Sequence, residues 1–292
     1  MSNIHTFGDS NNERNRNSEN YIYQPANIQN SNDYNNSSSV DVNIINSSLY
    51  KINKFCTIII IINFIIFFGE LIYFYALKQK TIWTCILYIF GGKYTPAIIK
   101  DHQYWRLITS IFLHASIYHI LMNSLSIGFL GYFTEKVLGL KRVIILYFCS
   151  GIYGNILSLP IQRTSVGVGA SGAIMGFSGF VMVYYIFNLY KMSQRNKNFF
   201  IYFFVMTLIN LFGNNMSRDG GTVDNYAHLG GFISGVILSL FFYSNQINYN
   251  YFSQNLIKKL KIISLLYLIL SPIISKVYLN YIKLPINSLA KC

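Results

Sequence analysis

Seven blocks of about 20 mostly apolar residues recur along the chain after residue 50, and they limit its fold more than any other feature. They lie near 54–77, 113–133, 140–160, 170–190, 198–214, 225–244 and 260–282. Each has the length a helix needs to cross a bilayer core of about 30 Å. The chain therefore reads as an all-α, multi-pass membrane protein. Its charge content agrees: only 11% of the 292 residues are charged, where a soluble domain averages about one quarter. The segment 78–112 is interrupted by Gly91, Gly92, Pro96 and several charges, and reads as a long, partly embedded loop rather than a span.

Residues 1 to about 50 are of another kind. They hold thirteen asparagines and no aliphatic run, so they bury too little apolar surface to offset ordering entropy and are expected to be disordered. They have no signal-peptide layout, and Asp9, Glu13 and Glu19 among the basic residues argue against a mitochondrial transit peptide. The expected division is a tail over 1–52, a core over 53–245, and a linker, last span and short tail over 246–292.

The net charge is +13, but the Lys and Arg residues lie mostly between apolar blocks, where they set orientation rather than bind nucleic acid. With a cytosolic N-terminus, the cytosolic loops carry Lys136, Lys141 and Arg142, then Lys191, Arg195 and Lys197, then Lys258, Lys259 and Lys261. The opposite loops after the third and fifth spans carry only Arg163 and Arg218. The loop after the first span, with Lys78, Lys80, Lys93 and Lys100, breaks the pattern. This orientation makes Asn215-Met216-Ser217 accessible to glycosylation and Asn46-Ser47-Ser48 inaccessible. The four cysteines (56, 85, 149 and 292) have no metal-ligand spacing and are expected to be free thiols. No cofactor or metal is called for.

Polar residues inside spans are expensive, which makes them functional candidates. Three groups stand out: His114, His119 and Asn123; Gly169-Ala170-Ser171-Gly172; and Ala227-His228. A serine hydroxyl needs a base to attack at neutral pH, and His228 is a natural one for Ser171. Spans four and six run the same way, so both residues fall at a similar shallow depth. Gly172, Gly176 and Gly179 on one span and Gly231 and Gly235 on the other permit close backbone approach. His119 and Asn123 share one helical face and carry N–H donors suited to a developing oxyanion. Each group alone has a plainer reading: a packing serine, an asparagine bonding a neighbouring helix, a histidine in a proton path. Asp224, four residues before His228, reads as a helix cap, so that Asp224→Asn is expected to leave turnover nearly intact. Glu70 reads as an acid bonded to a neighbouring helix.

Together these groups resemble the rhomboid family of intramembrane serine proteases. The resemblance rests on Trp105-Arg106, then His114, His119 and Asn123, then Gly169 to Gly172, then Ala227-His228 followed by Gly231 and Gly235, in that order and spacing, over about residues 54–244. It implies a six-helix core with a Ser171–His228 dyad and no aspartate partner. Asn123 and His119 would line the oxyanion hole, with Gly169, Gly172, His114, Trp105 and Arg106 in support. Trp105 and Arg106 would lie in the embedded loop. The last span resembles the six-plus-one layout of eukaryotic secretory-pathway members. Substrates would be single-span membrane proteins cut near the lumenal or extracellular face. Many members carry an aromatic residue four places after the nucleophile; here it is Met175. The alternatives are a rhomboid-fold trafficking or quality-control factor without catalysis and, more remotely, a small transporter.

Overall fold

The structure is a computed structural model that describes residues 54–77, 82–212, 223–243 and 253–281, with residues 284, 289 and 292. The N-terminal tail, the glycosylation motif at 215–217 and most of the linker after 243 lie outside the described residues. Among the described residues eleven α-helices follow one another: α1 Lys54–Ala76, α2 Trp83–Ile89, α3 Thr95–Ile99, α4 Arg106–Thr109, α5 Ile117–Ser126, α6 Tyr132–Leu138, α7 Leu140–Ser158, α8 Ser171–Asn188, α9 Gln194–Phe212, α10 Asn225–Tyr243 and α11 Gln254–Tyr281. Among the described residues the extended pairing is a single antiparallel bridge, Lys93 with Gly167.

Among the described residues five helices are long and apolar enough to cross a membrane: α1, α7, α8, α10 and α11. A sixth crossing arises if Arg106–Phe112 and Ile117–Leu138 count as one span, bent by 93° at the break between them. The remaining expected span, 198–214, is present as α9 but is more polar, opening on Gln194, Arg195, Asn196, Lys197 and Asn198. Of the expected loop 78–112, the described residues 82–112 carry short helices, as its glycines and Pro96 suggested.

Local sequence explains where the elements start and stop. Ser116 caps α5 by accepting the His119 N–H at 3.2 Å. Gly139, at φ 79°, ends α6 and lets α7 begin at once. At the start of α1 the Phe55 and Cys56 N–H groups donate to the Glu135 carboxylate, each at 3.1 Å. A carboxylate there meets orphan donors and the positive end of the helix together. It also ties α1 to α6 across the bundle.

The centre is built from α7, α8 and α10. Some 72% of the α8 span is buried, against 17% of α11. Phe177, Phe180, Tyr147 and Leu146 fill the core with almost no exposure. Lipid supplies little hydrophobic drive between helices, so close approach and dispersion carry the packing. Glycine makes that possible here. A side-chain carbon on Gly231 would overlap the Gly172 backbone, and one on Gly235 would overlap that of Gly176. The contacts advance together along both helices, 172 with 231 and 176 with 235, so α8 and α10 run parallel. Gly154 of α7 meets Ala227 and Gly231 from the other side. By contrast α11 exposes Ile262, Ile263, Ile273 and Ile274, a surface suited to lipid tails.

The free-thiol expectation fails for two cysteines. Cys85 in α2 and Cys292 are joined by a disulfide, while Cys56 and Cys149 remain free. The partners stand 207 residues apart, and no local spacing announces such a pair.

Candidate active site

Ser171 is the first residue of α8 and is partly buried. The turn before it is set by Gly169 at φ 123°, a conformation that favours glycine. A side-chain carbon at Gly169 would also lie 2.7 Å from His119 Cε1 and 2.8 Å from Nε2, with Asn123 Nδ2 at 3.5 Å. The His119–Asn123 face of α5 is thereby packed directly on the turn that leads into Ser171.

His228 stands in the first turn of α10 and is 8% exposed. Its backbone N–H donates to Asp224 O at 3.1 Å. The glycine seam sets it beside α8: Gly172 approaches the Ala227 carbonyl, and Gly231 approaches Gly172. The residues adjoining Ser171 and His228 are thus in contact, and both side chains sit at the same end of parallel helices.

The hydrogen bonds at the two rings define their protons. His228 Nδ1 lies 3.1 Å from the Asn210 carbonyl at the end of α9. A carbonyl only accepts, so Nδ1 carries the hydrogen and the neutral ring keeps its lone pair on Nε2. His119 is reversed: the Ala115 N–H donates to Nδ1 at 3.4 Å, so its neutral ring carries the hydrogen on Nε2, the atom beside Gly169. Asn123 Nδ2 is buried and has no hydrogen-bond partner among the described residues. One ring is prepared to accept a proton. The other ring and the amide are prepared to donate hydrogen bonds.

The supporting residues fall into two places. His114 is fully buried, edge-on to His119 with ring centres 5.2 Å apart, and its Nδ1 donates to Phe112 O at 3.1 Å. Trp105 and Arg106 lie further out, in the loop. The buried Arg106 guanidinium donates to Tyr88 O, Gly92 O and Gln103 Oε1 at 2.6, 3.0 and 2.6 Å. It also stacks on the Tyr88 and Trp105 rings at 4.1 and 4.6 Å. Met175 is buried within α8.

Sequence reasoning missed Asn210, whose contribution is a backbone carbonyl, and Lys93, which was counted only among the charges of the first loop. Lys93 is fully buried and pairs with Asp224 at 2.5 Å. Asp224 does cap α10, accepting the Ala227 N–H at 3.0 Å, but its other oxygen is committed to Lys93 and Ser158. Burial alone would raise the Asp224 carboxyl; the Lys93 charge and these hydrogen bonds hold it below its ordinary range. The expectation that Asp224→Asn is nearly silent must therefore be revised, because that change leaves a buried ammonium without its counter-charge.

A helical membrane protein with a serine and a histidine at the same end of a glycine-packed helix pair is the class that this fold and site define. Residues 101–245 match the family model described as Rhomboid domain. Relatives include RHOMBOID-like protein 1 of Arabidopsis thaliana, 36% identical over 164 residues, covering 56% of this chain and 41% of the relative. Rhomboid-like protease 3 of Toxoplasma gondii is 33% identical over 156 residues, covering 53% of this chain and 58% of the relative. Inactive RHOMBOID-like protein 8 of Arabidopsis thaliana is 30% identical over 144 residues, covering 49% and 40%. The chain spans about half the length of the curated relatives it matches. It belongs to the rhomboid family.

Proposed function

We propose that the chain is an intramembrane serine endopeptidase that cuts single-span membrane proteins through a Ser171–His228 dyad. The observation that carries this reading is the opposed fixing of the two histidines. His228, with its lone pair on Nε2, takes the proton as Ser171 Oγ attacks the scissile carbonyl carbon. The tetrahedral oxyanion accepts hydrogen bonds from His119 Nε2–H and Asn123 Nδ2–H, aided by backbone N–H groups of the first turn of α8. Collapse breaks the C–N bond, and the amine leaves with the proton from His228. Water, deprotonated by the same ring, then hydrolyses the acyl-enzyme. The Asn210 carbonyl holds the ring as an aspartate does in a triad. Asp224 takes no proton in these steps, its oxygens being bound to Lys93, Ser158 and Ala227.

The test is cleavage of a single-span substrate in proteoliposomes by wild type, Ser171→Ala and His228→Ala. Both variants are expected to be silent; cleavage at the wild-type rate in either would overturn the dyad. A silent wild type would favour the rhomboid-fold factor without catalysis, a reading to which the relative named as inactive gives weight.

The disulfide supports a secretory-pathway or plasma-membrane location with a cytosolic N-terminus. Disulfides persist on the oxidising side of membranes. Cys85 and Cys292 must share a side, so the chain between them crosses an even number of times. The bent pair, α7, α8, α10 and α11 make five crossings, and α9 supplies the sixth. The burial of Lys93 against Asp224 removes one of the four cations that broke the charge pattern of the first loop. Glycosidase-sensitive sugar on Asn215 is expected, and on Asn46 would reverse the orientation.

A further inference from the structure

Three stretches distant in sequence, the first loop, residues 158–167 and the approach to α10, meet at Lys93. Its backbone forms the bridge to Gly167, with Lys93 N–H to Gly167 O at 2.9 Å and Gly167 N–H to Lys93 O at 2.8 Å. Its stem lies along Gly167, where an added side-chain carbon would come within 2.7 Å of Lys93 Cε. Its ammonium donates to Ser158 Oγ, in the last turn of α7, and to Asp224 Oδ2, just before α10. Asp224 in turn holds the Ala227 N–H through Oδ1 and the His228 N–H through its carbonyl. Gly167 is four residues before Ser171, and Asp224 is four before His228. One lysine therefore grips, through its two ends, the approach to the nucleophile and the start of the helix that carries the base.

We propose that Lys93 and Asp224 are positioning residues that fix the register of the Gly167–Ser171 turn against the first turn of α10, and hence of Ser171 against His228. Neither touches the substrate. The pair is suited to the task because its parts are short of alternatives. The Lys93 side chain has no exposure and that of Asp224 has 20%, so the ammonium can neither swing into water nor exchange its partner freely. A buried charge that loses its partner must rearrange the groups around it, and here those groups are the two walls of the site. The glycine seam fixes how closely α8 and α10 approach. It does not fix the turn before Ser171, which precedes the seam; there the Gly169 N–H on Ser110 O, at 2.9 Å, holds the end next to Ser171 and the Lys93 bridge holds the start at Gly167.

The proposal rests on the dyad reading for its catalytic consequence but not for its structural one, and the experiment separates the two. Wild type, Lys93→Met, Asp224→Asn, Asp224→Glu and Ser158→Ala are compared in proteoliposomes. Two quantities are read: kcat and KM on a single-span substrate, and amide hydrogen exchange in peptides covering 164–172 and 224–232. Lys93→Met and Asp224→Asn are each expected to lower kcat about 10- to 100-fold, as a misplaced catalytic group does, with KM within about twofold. Asp224→Glu, which keeps the charge, is expected to recover most of that loss. In each charge-removing variant, exchange should quicken about tenfold in both peptides. Faster exchange confined to the mutated side, or unchanged kcat, would overturn the coupling. If either charge-removing variant fails to fold, Ser158→Ala decides: it removes one acceptor without unpairing a charge, and a loss of about two- to tenfold in kcat with faster exchange in both peptides is expected. No change in Ser158→Ala would then count against the proposal. If wild type and Ser171→Ala cleave alike, the dyad reading falls, and exchange alone settles the clamp.

Discussion

His119 and His228 belong to two walls built by different means. The His228 wall is made between helices: α10 lies on α8 through glycine backbone, and the carbonyl that orients the ring comes from α9. The His119 wall is made within one helix start, where Ser116 caps α5 and the Ala115 N–H sets the ring. The first depends on tertiary packing, the second on local turn geometry. An imidazole becomes a base or a donor according to whether its backbone neighbour offers a carbonyl or an N–H.

The largest effect is expected on the tertiary wall. His228→Ala should lower kcat at least about 10⁴-fold, as loss of a base does in serine proteases. Asn123→Ala, on the local wall, should lower kcat about 10²- to 10³-fold by removing an oxyanion donor, with little change in KM. Equal losses would break the distinction between base and donor. Next comes Gly231→Ala, which drives a methyl group into the Gly172 backbone and should destabilise the protein by about 1–3 kcal/mol in a detergent melt. Gly128→Ala, where nothing lies within 4 Å, is the matched control and should be neutral or slightly stabilising.

A smaller effect concerns acid. The folded Asp224 carboxyl is held below its ordinary range. Its contribution to stability is therefore fully present above the unfolded value, about 4, and is lost as pH falls through the lower folded value. The wild-type melting temperature should drop on acidification in that region, and the drop should be shallower in Asp224→Asn. Smallest of all, Met175→Tyr should retain cleavage, because a thioether and an aromatic ring can each pack against an imidazole. Loss of cleavage in a folded Met175→Tyr protein would show that the His228 wall tolerates no change of shape.

Much of this was legible in the sequence. Span lengths revealed the membrane helices, and the glycines at 172, 176, 231 and 235 announced a backbone seam. Those signals are periodic and local. What escaped was neither. The Cys85–Cys292 bond and the Lys93–Asp224 pair join residues 207 and 131 apart, and no spacing rule reaches that far. Asn210 acts through a carbonyl that every residue possesses, so its side chain carried no signal. Glu135 lies 80 and 79 residues from the N–H groups it accepts, so nothing local showed that α1 starts on it. The polar opening of α9 was visible; hydropathy does not mark it as a crossing, and parity around the disulfide calls for one only when the bent pair is counted as a single span.

The 93° break between Phe112 and Ile117 acts as a depth gauge. A helix that stops inside hydrocarbon leaves backbone groups without water, so a break of this size belongs at the membrane's wet margin. Asn123 lies seven residues beyond Ser116, about 10 Å along the helix axis at 1.5 Å per residue. That is about one third of a hydrocarbon core some 30 Å thick. On the dyad reading, a scissile bond and the water that releases its product would have only that distance to descend.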